Sequence, residues 1–374
     1  MKFDVSSTAL LSRLQSISKV IASKNTLPIL DCVLFELQEN RLVITASDVD
    51  TRMVTSVDVL NAEGLGVFAI TAKILLDPLK ELPEQPLSFE INDENLEILI
   101  HFENGRYNFI GQRGDTYPQQ KPLSGVNTAI LIGAQKLLSG VSRSLFAAAD
   151  DELRPVMNGV YFDIQRENLT IVASDGHKLA RIRNLSIHSQ EIASFILPKK
   201  PANLLKNVLA KETGEVKIEF DDNNAYISGP NFDMICRLIE GRYPNYNNVI
   251  PQGNPYKVTI DRISLLNALK RVSVFSNASS SLVKLHVTEG LLIISAQDID
   301  FSTSAEEKIV CDFSGEDLKI GFKATFLIEI LGNIASEHIV LELADPSRAG
   351  LIIPAENEKD EDLLMLLMPM MLND

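Results

Sequence analysis

The chain has 374 residues, 45% of them hydrophobic and 23% charged, a composition that excludes a disordered protein and predicts two or three domains of ordinary size. Its net charge of −15 speaks against a surface uniformly coated for nucleic acid, since phosphate contact needs Lys and Arg, so the placement of the cations matters more than their total. Cys32, Cys236 and Cys311 are widely separated, which excludes a disulfide framework and a CxxC metal site and predicts buried, reduced thiols.

The opening "MKFDVSSTALL" lacks the apolar stretch and cleavage site of a secretory signal, and a cytoplasmic protein is expected. "TALLSRLQSISKVIA" follows, with Leu10, Leu14, Ile17 and Ile21 at helical spacing, and predicts an amphipathic helix. "VLFELQ" and "RLVITAS" then read as a hairpin around the polar "QEN", and "AKILLDPLKEL" as a second helix. The same series restarts at "AQKLLSGVSRSLFAA" and runs through "KPANLLKNVLA" to the strands "EVKIEF" and "NAYISG". It restarts again at "RISLLNALKRVSVFS" and reaches its second helix at "KATFLIEILGNI". The closing apolar run "LLMLLMPMML" (363–372) is about half the length of a membrane span and is broken by Pro369, so no membrane association is expected.

These restarts are one repeat. Laying "LPILDCVLFELQENRLVITASDVD" on "RPVMNGVYFDIQRENLTIVASDGH" matches Pro28 to Pro155, Val33 to Val160, Phe35 to Phe162, Leu42 to Leu169 and Asp48 to Asp175 without a gap. A third copy, "SLVKLHVTEGLLIISAQDID", adds Val283, Leu285, Leu292 and Asp298. Each unit takes about a third of the chain, far more than a solenoid repeat, so three tandem domains are expected, at 1–125, 126–252 and 253–374. Each is α+β, with about two helices on one face of antiparallel sheet. Asp48, Asp175 and Asp298 recur at equivalent places and read as turn residues that hydrogen-bond their own backbone. The segment Gly176-His177-Lys178-Leu179 has no counterpart in the other repeats.

Although the chain holds 50 Asp and Glu, four stretches that open or form helices contain none. They carry Arg13, Lys19 and Lys24; Lys136 and Arg143; Lys199, Lys200, Lys206 and Lys211; and Arg262, Lys270 and Arg271. Repetition at matching places predicts a helix-built positive surface for a polyanion, gripping the backbone without reading sequence, since no helix-turn-helix or zinc-finger spacing is present. Six helices packed roughly 8–10 Å apart would close around only about 4–8 Å, whereas twelve, from two chains, would leave roughly 20–28 Å. Only a dimer could surround duplex DNA. A catalytic reading of Asp175 with His177 finds no support in a P-loop, GxSxG, HExxH or dinucleotide fingerprint, so no enzyme, metal or cofactor is expected. A protein-only peptide-binding scaffold is the alternative, and the acid-free helices speak against it.

"MKFDV", "TLPIL" (26–30), "ASDGHKLA" (173–180), "LIEGRYPNY" (238–246), "IGFKATFLIEIL" (320–331) and "MPM" (368–370), in this order, resemble the β-subunit family of bacterial DNA polymerase III, the ring-shaped sliding clamps. The resemblance spans essentially the whole chain. It implies three clamp-type domains per chain forming half of a closed ring, a head-to-tail homodimer around duplex DNA. The implied partners are the polymerase III alpha subunit and other polymerases, an ATP-driven clamp loader and repair proteins. It further implies a pocket for short linear peptides of the Gln-Leu-x-Leu-Phe type between the second and third domains. Its walls would be Met157, Ser174, Gly176, His177, Lys178, Leu179, Pro244 and Val249, with Leu366, Leu367, Met368, Pro369, Met370, Met371 and Leu372 from the C-terminus. Arg13, Lys19, Lys24, Lys136, Arg143, Lys199, Lys200, Lys206, Lys270 and Arg271 would face DNA, and Tyr107, Phe109, Val274 and Phe275 would form the subunit interface. Met371 and Asn248 stand where the family often carries basic residues, and Asn373 and Asp374 extend the usual ending, which implies a less positive pocket.

Overall fold

The computed structural model describes residues 1–119, 123, 125 and 128–372; Asn373 and Asp374 lie outside the described residues. The helices are α1 (Ser7–Ile17), α2 (Ala72–Lys80), α3 (Ala134–Leu145), α4 (Lys199–Leu209), α5 (Arg262–Val272) and α6 (Ala324–Gly332). Local chemistry starts and orients them. Ser6 caps α1 by accepting from the Ala9 N–H at 3.1 Å, and Asp261 caps α5 by accepting from the Ser264 N–H at 2.7 Å. Leu10, Leu14 and Ile17 form one buried stripe of α1, as their spacing predicts.

Every third of the chain repeats one order: strand, helix, four strands, helix, three strands, with the extra short strands Leu60–Glu63 and Gln112–Arg113 in the first. The architecture is α+β with wholly antiparallel sheets. Contacts divide the chain into two compact units, residues 1–138 with 200–238, and residues 139–199 with 239–374. Their borders differ from the repeat borders because strands of neighbouring repeats share a sheet. In the first unit, Thr51–Asp58 pairs with Phe232–Arg237 (Thr51 opposite Cys236), giving a nine-stranded sheet. In the second, Lys178–Asn184 pairs with Glu361–Leu367 (Lys178 opposite Leu367), giving an eight-stranded sheet.

The same half-sheets remain unjoined at the two ends of the series. A five-stranded sheet in the first unit ends on Gly105–Ile110, and a four-stranded sheet in the second ends on Thr303–Val310. Helices pack on strands in the first and third repeats: α1 lies against α2 and Thr51–Asp58, and α5 against α6 and Leu291–Asp298. The core between them is aliphatic and aromatic, with Phe3 stacked on Phe89, Phe35 on Phe68 and Phe162 on Phe195. All three cysteines are buried and unpaired. Burial pushes the Cys236 thiol up to about 12, so it stays protonated and inert.

Candidate functional site

The three repeated aspartates all build the same turn. Asp48 Oδ1 accepts from the N–H groups of Asp50 and Thr51 at 2.9 and 2.6 Å; Asp298 Oδ1 accepts from Asp300 and Phe301 at 3.0 and 3.3 Å. Asp175 Oδ1 accepts from His177 and Lys178, both at 2.8 Å. Burial by itself raises the Asp175 carboxyl, but those N–H groups and the Lys178 ammonium outweigh it and hold it below the usual carboxylate range. Its second oxygen meets Lys178 Nζ at 3.1 Å. Asp175 is thereby engaged on both oxygens, and the His177 ring lies instead by Phe326, 6.4 Å between centroids. Gly176 carries φ +90°, a conformation that disfavours any side chain, and a Cβ there would lie 2.9 Å from the Arg154 guanidinium.

This turn forms one rim of a cavity of about 180 Å³ within the second unit. Of the residues that the resemblance implies for a peptide pocket, Met157, Ser174, Gly176, His177, Lys178, Leu179, Pro244, Val249, Leu366 and Met368 line it. Tyr243, Asn245 and Tyr246 line it too. Sequence reasoning misses these three, although the aromatic pair of "LIEGRYPNY" is a signal that could indicate a wall. The floor is firm: Tyr243 stacks on Tyr161 at 4.7 Å, and the Tyr246 hydroxyl donates to Asp163 at 2.7 Å. Beneath lies a buried apolar cluster that includes Val172, Leu179, Ile196, Leu351, Leu364 and Leu366. Arg154, also missed, braces the rim by donating to the Asp175 carbonyl at 3.3 Å and pairing with Asp151 at 2.8 Å.

The C-terminal residues divide. Leu366 faces the cavity, whereas Leu367, its neighbour on the same strand, is fully buried on the opposite face because side chains alternate along a strand. The Met368 N–H donates to the His177 carbonyl at 2.8 Å, and the chain then turns to run beside Gly321, where the Met370 N–H donates at 2.8 Å and Leu372 packs. Pro369, Met370, Met371 and Leu372 therefore stand outside the cavity lining, and Met371 is exposed. Asn248 is likewise outside it.

The predicted DNA-facing cations are less uniform than their sequence pattern. Lys24, Lys206 and Lys270 are exposed. Arg13 donates to Asn231 at 3.0 Å and Lys19 to Asn207 at 3.2 Å. Lys136 is half-buried. Lys199 pairs with Asp150 at 2.7 Å, Lys200 with Asp48, and Arg271 with Glu307 at 2.6 Å. Arg143, expected to face DNA, does not stand free. Its side chain is largely buried and held by Glu358 and by Glu361 at 2.8 Å, so it ties α3 to the strand that walls the pocket, and helical periodicity could not reveal those distant acids. Arg143→Ala would strand the buried Glu361 carboxylate and is expected to cost about 3 kcal/mol in urea unfolding, with Arg143→Met/Glu361→Leu recovering most of it. Equal stability of Arg143→Ala and wild type would show the pair to be dispensable.

The predicted interface residues flank the two open sheet edges. Tyr107 and Phe109 are half-buried on the edge strand Gly105–Ile110, with Tyr107 against Phe102 at 4.7 Å. Val274 and Phe275 lie on a short 3-10 turn beside Thr303–Val310, 76% and 40% exposed. A larger cavity, about 1050 Å³, opens in the first unit around Leu34, Arg52, Tyr117, Tyr226 and Ile235. In the second unit Tyr243, Tyr246 and Ile250 pack in one buried cluster with Leu179 and Leu364, against which Tyr161 lies.

Tandem α+β repeats joined through shared sheets, open sheet edges at both ends of the series and an apolar pocket beside a junction define a clamp-type protein, which works by holding other molecules. The chain belongs to the DNA polymerase III beta subunit family, the beta sliding clamps. It matches the family's N-terminal domain over residues 1–121, its central domain over 132–245 and its C-terminal domain over 247–371. The beta sliding clamp of Pseudomonas aeruginosa is 29% identical over 373 residues, the whole of both chains, and that of Staphylococcus aureus 25% over 378 residues, 99% of each. The crystal structure of the P. aeruginosa sliding clamp bound to griselimycin superposes with a TM-score of 0.93 at 28% identity, and DNA polymerase III beta of Thermotoga maritima with 0.90 at 26%, both over the full chains. As a member of this family the protein is a processivity factor of DNA replication and not an enzyme; DNA, DNA polymerases, the clamp loader and a second copy of itself are its partners. Among the described residues, no helix is long and apolar enough to cross a membrane.

Proposed function

We propose that two copies join head to tail through their open sheet edges, close around duplex DNA in the cytoplasm, and present the second-unit cavity to linear peptides of polymerases, loader and repair proteins. The domains are those at 1–125, 126–252 and 253–374. One observation carries the ring. The third strand of each half-sheet is paired with the last strand of the following repeat at both internal junctions, and among the described residues Thr303–Val310 and Gly105–Ile110 are the two such strands without that partner. Antiparallel pairing of Thr303–Val310 with the Gly105–Ile110 strand of a second copy repeats the rule and removes both edges. Tyr107 and Phe109 would then meet Val274 and Phe275 in an apolar interface core.

Lys24, Lys206 and Lys270 supply the cations facing DNA most directly, with Arg13, Lys19, Lys136, Lys199, Lys200 and Arg271 contributing around them. The peptide reading rests on the cavity, which is too small for a drug-sized ligand but accommodates one or two apolar side chains of a bound segment. Protein loaded onto DNA with clamp loader and ATP is expected to stay on nicked circles through a salt wash and to slide off when the circle is cut. Equal retention on both forms would mean that contact rather than topology holds it.

A further inference from the structure

Lys178 is the one lysine or arginine among the residues lining the cavity, and it already has two carboxylate partners and an aromatic one. Its ammonium lies 3.1 Å from Asp175 and 3.2 Å from Glu329, and 4.0 Å from the centre of the Phe326 ring. Lys323 approaches the same ring at 4.6 Å. Two carboxylates thus stand against two ammonium groups in one small cluster. Met157, Leu179, Pro244, Val249, Leu366 and Met368 form the apolar part of the wall, and Ser174, His177, Asn245 and the two tyrosines Tyr243 and Tyr246 its polar part.

The two carboxylates differ in how replaceable they are. Asp175 is fixed by its turn, through the two N–H groups it accepts. Glu329 projects from α6 with its side chain 48% exposed, against 7% for Lys178, so it is a carboxylate in contact with solvent that a ligand's own acid would meet on its way to Lys178. Such an acid would meet a cation already shared by two carboxylates, and the like-charge repulsion would cancel its gain.

We propose that Glu329 is a specificity-determining residue of this pocket: by completing the neutralisation of Lys178 it makes the site select uncharged, apolar peptide segments and gain nothing from an acidic side chain. This rests on the peptide-binding reading of the cavity. Glu329 itself touches no ligand in this account; it sets the charge that a ligand encounters.

The test is fluorescence anisotropy with a labelled neutral peptide of the Gln-Leu-x-Leu-Phe type and three variants, each carrying one aspartate at a different position. On the wild type, no aspartate variant is expected to bind more than about 2-fold tighter than the neutral peptide. On Glu329→Gln, the neutral peptide should bind as before, while at least one aspartate variant gains roughly 3- to 5-fold at low salt and loses that gain at high salt. An aspartate preference already present in the wild type, or a ratio unchanged by Glu329→Gln, overturns the proposal. So does loss of the neutral peptide in Glu329→Gln, which would make the residue a structural support. Failure of the neutral peptide to bind the wild type would instead remove the peptide reading of the cavity, and the two failures are told apart by that one curve.

Discussion

Phe275→Asp is expected to yield monomers, read as a halved mass by light scattering. Phe275 and Val274 form an exposed apolar ledge beside the open strand Thr303–Val310, and a partner edge bearing Tyr107 and Phe109 would cover them. A carboxylate in that contact must be desolvated without a cation to meet it, at about 3 kcal/mol or more per interface, which is over a hundredfold in dimer affinity. A mass that stays dimeric would take Phe275 out of the interface. The internal repeat supplies a companion test. Asp48 uses one oxygen for its turn and the other for Lys200, the second residue of α4. Lys73 is the second residue of α2, and Asp298 forms the same turn in the third repeat. Across two copies, Lys73 should therefore meet Asp298. Lys73→Ala and Asp298→Asn, which keeps the turn acceptor, should each weaken the dimer by up to about 1 kcal/mol, with the double variant no worse than either. Additive losses would separate the two residues.

Ending the chain after Leu367 is expected to abolish binding of a labelled Gln-Leu-x-Leu-Phe peptide while leaving the dimer mass unchanged. The truncation removes Met368, a wall of the cavity, together with the hydrogen bond from its N–H to the His177 carbonyl that holds the rim. It keeps Leu367, which is buried in the sheet and belongs to the core. Losing one apolar wall and one rim contact amounts to about 2–4 kcal/mol, or roughly 30- to 1000-fold in affinity. Unaltered binding would show that Leu366 and the Ser174–Leu179 turn suffice, and the partner contact would then lie away from the C-terminus.

Much of this was legible before any coordinates. The helices follow from regularities within a few residues of one another, such as the stripe Leu10, Leu14, Ile17, and the threefold repeat and its turn aspartates from a gapless register that lays Asp48 on Asp175. Most of the cavity wall could be named only through the family resemblance. What periodicity and composition could not supply was pairing over long separations. Thr51–Asp58 joins Phe232–Arg237, and Lys178–Asn184 joins Glu361–Leu367; these partners carry no local mark of each other, and the two unpaired edges become visible only once the pairing is known. The same limit explains Arg143, whose acid-free helix suggested an open cation while its partners waited more than two hundred positions along the chain. It explains Leu367 as well, since hydropathy treats Leu366 and Leu367 alike and only the sheet turns one to the cavity and the other to the core. Lys178 completes the pattern: its sequence neighbour Asp175 was in plain sight, but Glu329 was brought to it by the packing of α6, and the charge of the pocket was decided there.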